Sequence, residues 1–119
     1  MKYLLIIHGN YEAWNAMTPD GIEKIMQAHK SVTDELTASG ELIETNELSA
    51  NGAKVVRTTG GVPVVTDGPF IEVKEILAGY YLIECVDIDR AVEIAARLAE
   101  AEFAPIEVRQ INSSPVQGG

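Results

Sequence analysis

The sequence predicts an α+β domain made of two β-α-β units with a β-hairpin inserted between them. Three observations predict it. Short apolar runs bounded by turn residues alternate with amphipathic stretches of helical period. "KYLLIIHG" at residues 2–9 and "GYYLIECV" at residues 79–86 open two halves in the same register, as an internal duplication would. Gly60-Gly61 separates two short runs of strand-forming residues, which marks a hairpin. With the hairpin set aside, the order β-α-β β-α-β is the ferredoxin-like split.

Each element has its own local cause. Lys2 to His8 is a strand closed by Gly9-Asn10, and a loop carrying Trp14 follows. Thr18 and Pro19 open a helix as N-cap and first helical residue. Its inner face at helical spacing is Ile22, Ile25, Met26, His29, Val32, Thr33 and Leu36, and Gly40 stops it from the C′ position. Glu41 to Leu48 is a second, partly polar strand. Ala50-Asn51-Gly52 turns the chain into the hairpin, Lys54–Thr59 against Val62–Thr66, with Pro63 marking an edge. "DGPF" at 67–70 begins a loop or short helical turn reaching about Ile76.

Gly79 to Cys85 is a strongly apolar strand, and Asp87 caps a second helix with inner residues Ile88, Ala91, Val92, Ala95 and Leu98. Pro105 ends the connection to a last strand, Ile106–Ile111. Residues 1–112 are thus read as one domain and 113–119 as a flexible tail, in a chain of 119 residues that supports one core.

Helices in this order cover one face of the sheet, so the other face should alternate with polar residues. "LLII" and "YYLI" are instead apolar at consecutive positions. A second copy of the same sheet is the natural cover, which predicts a two-fold homodimer with a barrel-like interior.

Bulk composition excludes several classes. Net charge is −9 and the pI about 4.5, so there is no basic footprint for nucleic acid or an anionic membrane surface. Cys85 is alone, which fits a reducing compartment. No run approaches the ~20 apolar residues of a membrane helix, and the N-terminal apolar run is too short for a signal peptide, so a cytoplasmic protein is expected. There is no phosphate loop, G-x-G-x-x-G, C-x-x-C or G-x-S-x-G. Nucleotide cofactors, structural zinc and serine hydrolase chemistry are therefore not expected.

Few residues are left to carry chemistry. Asp67 before Gly68-Pro69 is a turn residue that caps or forms an Asx-turn. It is equally a carboxylate held by rigid backbone at the mouth of an apolar cavity, placed for proton transfer. His29, between Met26 and Val32 on the inner helix face, is either a structural core histidine or the partner of that carboxylate as general acid or base. His8 ends the first strand, where a side chain looks into a site mouth or into solvent. Two histidines and a carboxylate match the ligand count of a metal triad, but their spacing is no metal motif, and no metal is expected. Lys74, near Glu72, and Arg109, near Glu107, read as solvated ion pairs or as local anchors for an anionic substrate. Tyr80 and Tyr81 read as core and interface, and Cys85 as inert packing.

"TDGPFIEVKE", "GYYLIE", "IEVRQI" and the opening "MKYLLIIHG" resemble the DGPF-type group of the YCII-related domain family, from Met1 to about Asn112. Asp67-Gly68-Pro69-Phe70 is the specific signature. The resemblance implies a ferredoxin-like, dimeric α+β barrel with a His–Asp active pair, His29 within "QAHKSVTDEL" and Asp67. It further implies either cofactor-independent acid/base chemistry on a small metabolite, an isomerisation or a dehydrochlorinase-like elimination, or a non-catalytic ligand-binding or regulatory role beside an extracytoplasmic-function sigma factor. His8, Lys74 and Arg109 stand as substrate contacts in the first of these.

Overall fold

The computed structural model describes residues 1–9, 11–49, 52–68, 76–98, 101 and 104–112. Its elements run β1 (Lys2–Gly9), α1 (Tyr11–Asn15), α2 (Pro19–Ser39), β2 (Leu42–Glu47), β3 (Lys54–Thr59), β4 (Val62–Asp67), β5 (Ile76–Glu84), α3 (Ile88–Ala96) and β6 (Ile106–Gln110). Four strands form one antiparallel sheet in the order β2-β5-β1-β6, while β3 and β4 form a separate two-stranded sheet. The expected turn at Ala50-Asn51, the Pro69-Phe70 half of DGPF, Glu72, Lys74 and the 113–119 tail lie outside the described residues.

The helix boundaries follow their caps. Thr18 Oγ1 accepts from the Gly21 N–H, and Pro19 begins α2 where no backbone donor is needed. Gly40 ends it at φ 79°, with its N–H turned back on Leu36 and Thr37, a conformation that costs any residue with a Cβ. The Asp87 carboxylate accepts from the Arg90 N–H and so starts α3.

β1 and β5, the segments expected to match in register, are the two central strands, paired Tyr3 to Ile83, Leu5 to Tyr81 and Ile7 to Gly79, and the matching tyrosines Tyr3 and Tyr80 face opposite sides of the sheet. One side of this pair carries Tyr3, Leu5, Tyr81 and Ile83, all buried with Val32 and Leu36 of α2 and Ala91, Ile94 and Ala95 of α3. Both helices therefore lie on one face. The opposite face carries Leu4, Ile6, Tyr80 and Leu82, which are only half-buried. The chain is 19 Å thick along its shortest axis, which is one sheet and one helix layer at about 10 Å each. An unbroken apolar sequence thus meets a burial pattern of period two.

Four expectations change. The segment carrying Trp14 is a short helix, α1, rather than a loop. Met26 is 58% exposed, because the inward stripe of α2 runs through Ile25, Val32 and Leu36. In α3, Ile88 and Val92 point outward and Ile94 is buried, since the Asp87 cap fixes a phase that aims 91, 94, 95 and 98 at the sheet. Asp67 is the last residue of β4 instead of the first of a loop.

Candidate functional site

Helix α2 places His29 four residues after buried Ile25 and three before buried Val32, so its ring reaches the helix–sheet layer, where it is half-buried. Alternation along β5 puts Tyr81 on the same layer, 2% exposed. The two meet: His29 Nδ1 lies 2.5 Å from the Tyr81 hydroxyl. The rings stack with centroids 5.7 Å apart and planes 9° from parallel. With the phenol O–H donating to Nδ1, neutral His29 carries its proton on Nε2. An imidazole oriented in this way is equipped to accept or deliver a proton.

Asp67 stands elsewhere in the chain. It faces Lys54 across the hairpin, its side chain is 85% exposed, and its carboxylate accepts from Lys54 Nζ. Its neighbour Gly68 is tightly placed: a Cβ there would come within 3.0 Å of Val55 Cγ2, and its N–H donates to the Ala53 carbonyl at 2.7 Å. Among the described residues, His29 bonds Tyr81 and Asp67 bonds Lys54, and no hydrogen bond joins the two within one chain.

His8 and Arg109 lie on the face of the sheet opposite the helices and meet on one carboxylate. His8 Nε2 is 3.4 Å from Glu107 Oε1, and Arg109 Nη1 is 3.8 Å from Glu107 Oε2. Both are partly exposed pairs of modest strength. Across the same face, the Tyr80 hydroxyl donates to Glu44 Oε2 at 2.7 Å, and the Asn46 amide bonds both groups, at 2.9 Å to Tyr80 and 3.2 Å to Glu44. The half-buried apolar strip Leu4, Ile6, Leu82 is thus flanked by a polar cluster on either side.

Sequence reasoning passed over Tyr81 and Tyr80 as groups with chemistry. A signal was there: a tyrosine aligned with Leu5 on the helix-facing register must satisfy its hydroxyl inside the layer, and His29 is a polar residue on the inner face of the facing helix. Cys85 behaves as packing; burial pushes its thiol up, and Sγ donates to the Asp87 carbonyl at 3.3 Å. Among the described residues no three His, Cys, Asp or Glu side chains gather as a metal site. No described helix is long and apolar enough to cross a membrane.

Comparison with known sequences places these residues in a wider set. The model of the YCII-related domain matches residues 1–113. The chain belongs to the YCII-related domain family. The YCII-related match spans every element described above, including the helix that carries His29 and the strand that carries Tyr81. An uncharacterised protein of Rhizobium meliloti (strain 1021) is similar to it, 30% identical over 102 residues that cover 85% of this chain and 82% of that protein.

Proposed function

We propose that this YCII-related chain, of the DGPF-type group, is a ferredoxin-like protomer of a homodimeric α+β barrel that binds a small metabolite and moves a proton on it without a nucleotide cofactor. The strand order β2-β5-β1-β6, with both helices on one face, supports the protomer topology. The half-buried strip Leu4, Ile6, Leu82 supports a second copy as the cover. The observation that carries the chemistry is the bond between the buried Tyr81 phenol and the half-buried His29 imidazole. His29 is the acid/base group, and Tyr81 positions it. Asp67 is engaged by Lys54 within its own chain, so in this reading it serves His29 only across the dimer.

The test is proton exchange. The protein is incubated in D2O with a panel of aromatic and carboxylated metabolites, and 1H NMR follows deuterium uptake into each. Uptake that His29→Ala abolishes and Tyr81→Phe slows is the expected result. Binding of a panel member with no exchange above the His29→Ala background would remove the catalytic reading and leave a ligand-binding module.

A further inference from the structure

The β3–β4 hairpin is a two-stranded sheet of its own. Among the described residues its strands pair only with each other. Val56, Val62, Val64 and Val65 are 46% to 62% exposed. They occupy both sides of the ribbon, with Val56 opposite Val65 on one and Val62 and Val64 on the other. A lone two-stranded ribbon is marginal in water, and strands apolar on both faces are those buried on both.

The two edges of the ribbon are not equivalent. Gly60-Gly61 forms a two-residue turn between paired Thr59 and Val62, and the Gly68 N–H donates to the Ala53 carbonyl at 2.7 Å. Both facts fix the same alternation. The backbone groups of Lys54, Val56 and Thr58 point outward from β3, and those of Pro63, Val65 and Asp67 from β4. Pro63 has no N–H to offer, so the outer edge of β4 lacks one of its donors, while that of β3, among the described residues, keeps all of its own.

Charge says where the β3 edge fits. β3 is KVVRTT, with Arg57 and with Lys54, which Asp67 already pairs across the hairpin, and no acid. β2, an outer strand of the four-stranded sheet, is LIETNE, with Glu44 and Glu47 and no base. Acidic edge residues discourage pairing with copies of themselves and welcome a basic strand.

We propose that the hairpin is an exchange arm: β3 of one chain adds to the outer edge of β2 in a second copy, reciprocally about a two-fold axis. The proposal rests on the homodimer of the preceding subsection and adds what joins the copies. Reciprocal exchange makes the ribbon a continuation of the neighbouring sheet and carries Asp67 onto the neighbouring chain.

The full chain is prepared with p-benzoylphenylalanine in place of Val56, as a mixture of 14N- and 15N-labelled protein, and irradiated. The expected product joins residue 56 of one isotope to the 42–47 segment of the other. In parallel, Lys54→Glu with Arg57→Glu should weaken the dimer by about tenfold or more in sedimentation equilibrium, and adding Glu47→Lys should restore part of it. Circular dichroism checks that each variant folds. If the wild type is dimeric but residue 56 cross-links only within its own chain and charge reversal leaves the dissociation constant unmoved, the arm is wrong and the homodimer stands. A monomeric wild type at the highest soluble concentration overturns the homodimer and the arm with it.

Discussion

The Tyr81 hydroxyl lies 2.5 Å from His29 Nδ1 while the two rings stack 9° from parallel, so one buried group both packs against the imidazole and bonds its Nδ1. Tyr81→Phe keeps the packing and removes the donor. Imidazole 15N shifts should report a single Nε2–H tautomer in the neutral wild type and a mixture in Tyr81→Phe. Urea unfolding should show a loss of about 0.5–1.5 kcal/mol, the net value of one intramolecular hydrogen bond. Identical 15N shifts in the two proteins would refute the positioning role.

A second relationship binds the helices to the sheet. Arg90 grips Glu41 with Nε at 3.0 Å and Nη2 at 2.8 Å and reaches Glu93 with Nη1 at 2.6 Å. Arg97 pairs with Glu35 of α2. The Arg90 hydrogen bonds hold the Glu41 carboxyl below the ordinary glutamate range, and the Arg97 bond does the same for Glu35. A carboxyl depressed in the folded state stabilises above its unfolded pKa and loses that contribution as pH falls through its folded pKa. Stability should therefore decline from roughly pH 5 downward. Glu41→Gln should cost about 1–2 kcal/mol at neutral pH and flatten the acid limb, as read by urea midpoints across pH.

The apolar strip gives a prediction about assembly. Leu4 and Leu82 are cross-strand partners on the face away from the helices and only half-buried in one chain. Leu82→Arg should cost the isolated fold little and abolish the dimer, since it puts a charge where two sheets would meet. Light scattering with a parallel melt checks both parts. A dimer that survives Leu82→Arg would place the interface elsewhere.

The fold was legible in the sequence where local chemistry decides it. Thr18-Pro19, Gly40, Asp87 and Gly60-Gly61 act within a few residues of themselves, and the structure uses each as expected. Helix phase was harder to read. A stripe containing both Ile25 and Met26 is wider than the buried contact, and only packing against the sheet selects Ile25. Ile25→Ala should accordingly cost about 2–4 kcal/mol and Met26→Ala under about 0.5, by urea unfolding. In the candidate site, His29 was visible as a polar residue on an apolar helix face. Tyr81 was harder to see, because its importance comes from a histidine on a helix 52 positions away in sequence. Asp67 was visible as a signature residue, but its Lys54 partner depends on hairpin register, which extends one residue beyond the predicted arm.

Gly79 supplies the last prediction, and it joins fold to site. It sits in β5 opposite Ile7 of β1 and Glu47 of β2. A Cβ on it would lie 2.9 Å from the backbone oxygen of Asn46. The obstacle is main chain, so relief requires β2 to move away from β5 instead of a side chain turning aside. Gly79→Ala should therefore cost about 1–3 kcal/mol, as overpacking in a tight interior does. Moving β2 also pulls Glu44 and Asn46 from Tyr80, whose hydroxyl they hold at 2.7 and 2.9 Å. Tyr80 ring and Asn46 side-chain amide resonances should shift in Gly79→Ala while those of His29 and Tyr81, on the other face, stay near wild type. Equal disturbance of both faces would mean that the two sites are coupled through the sheet.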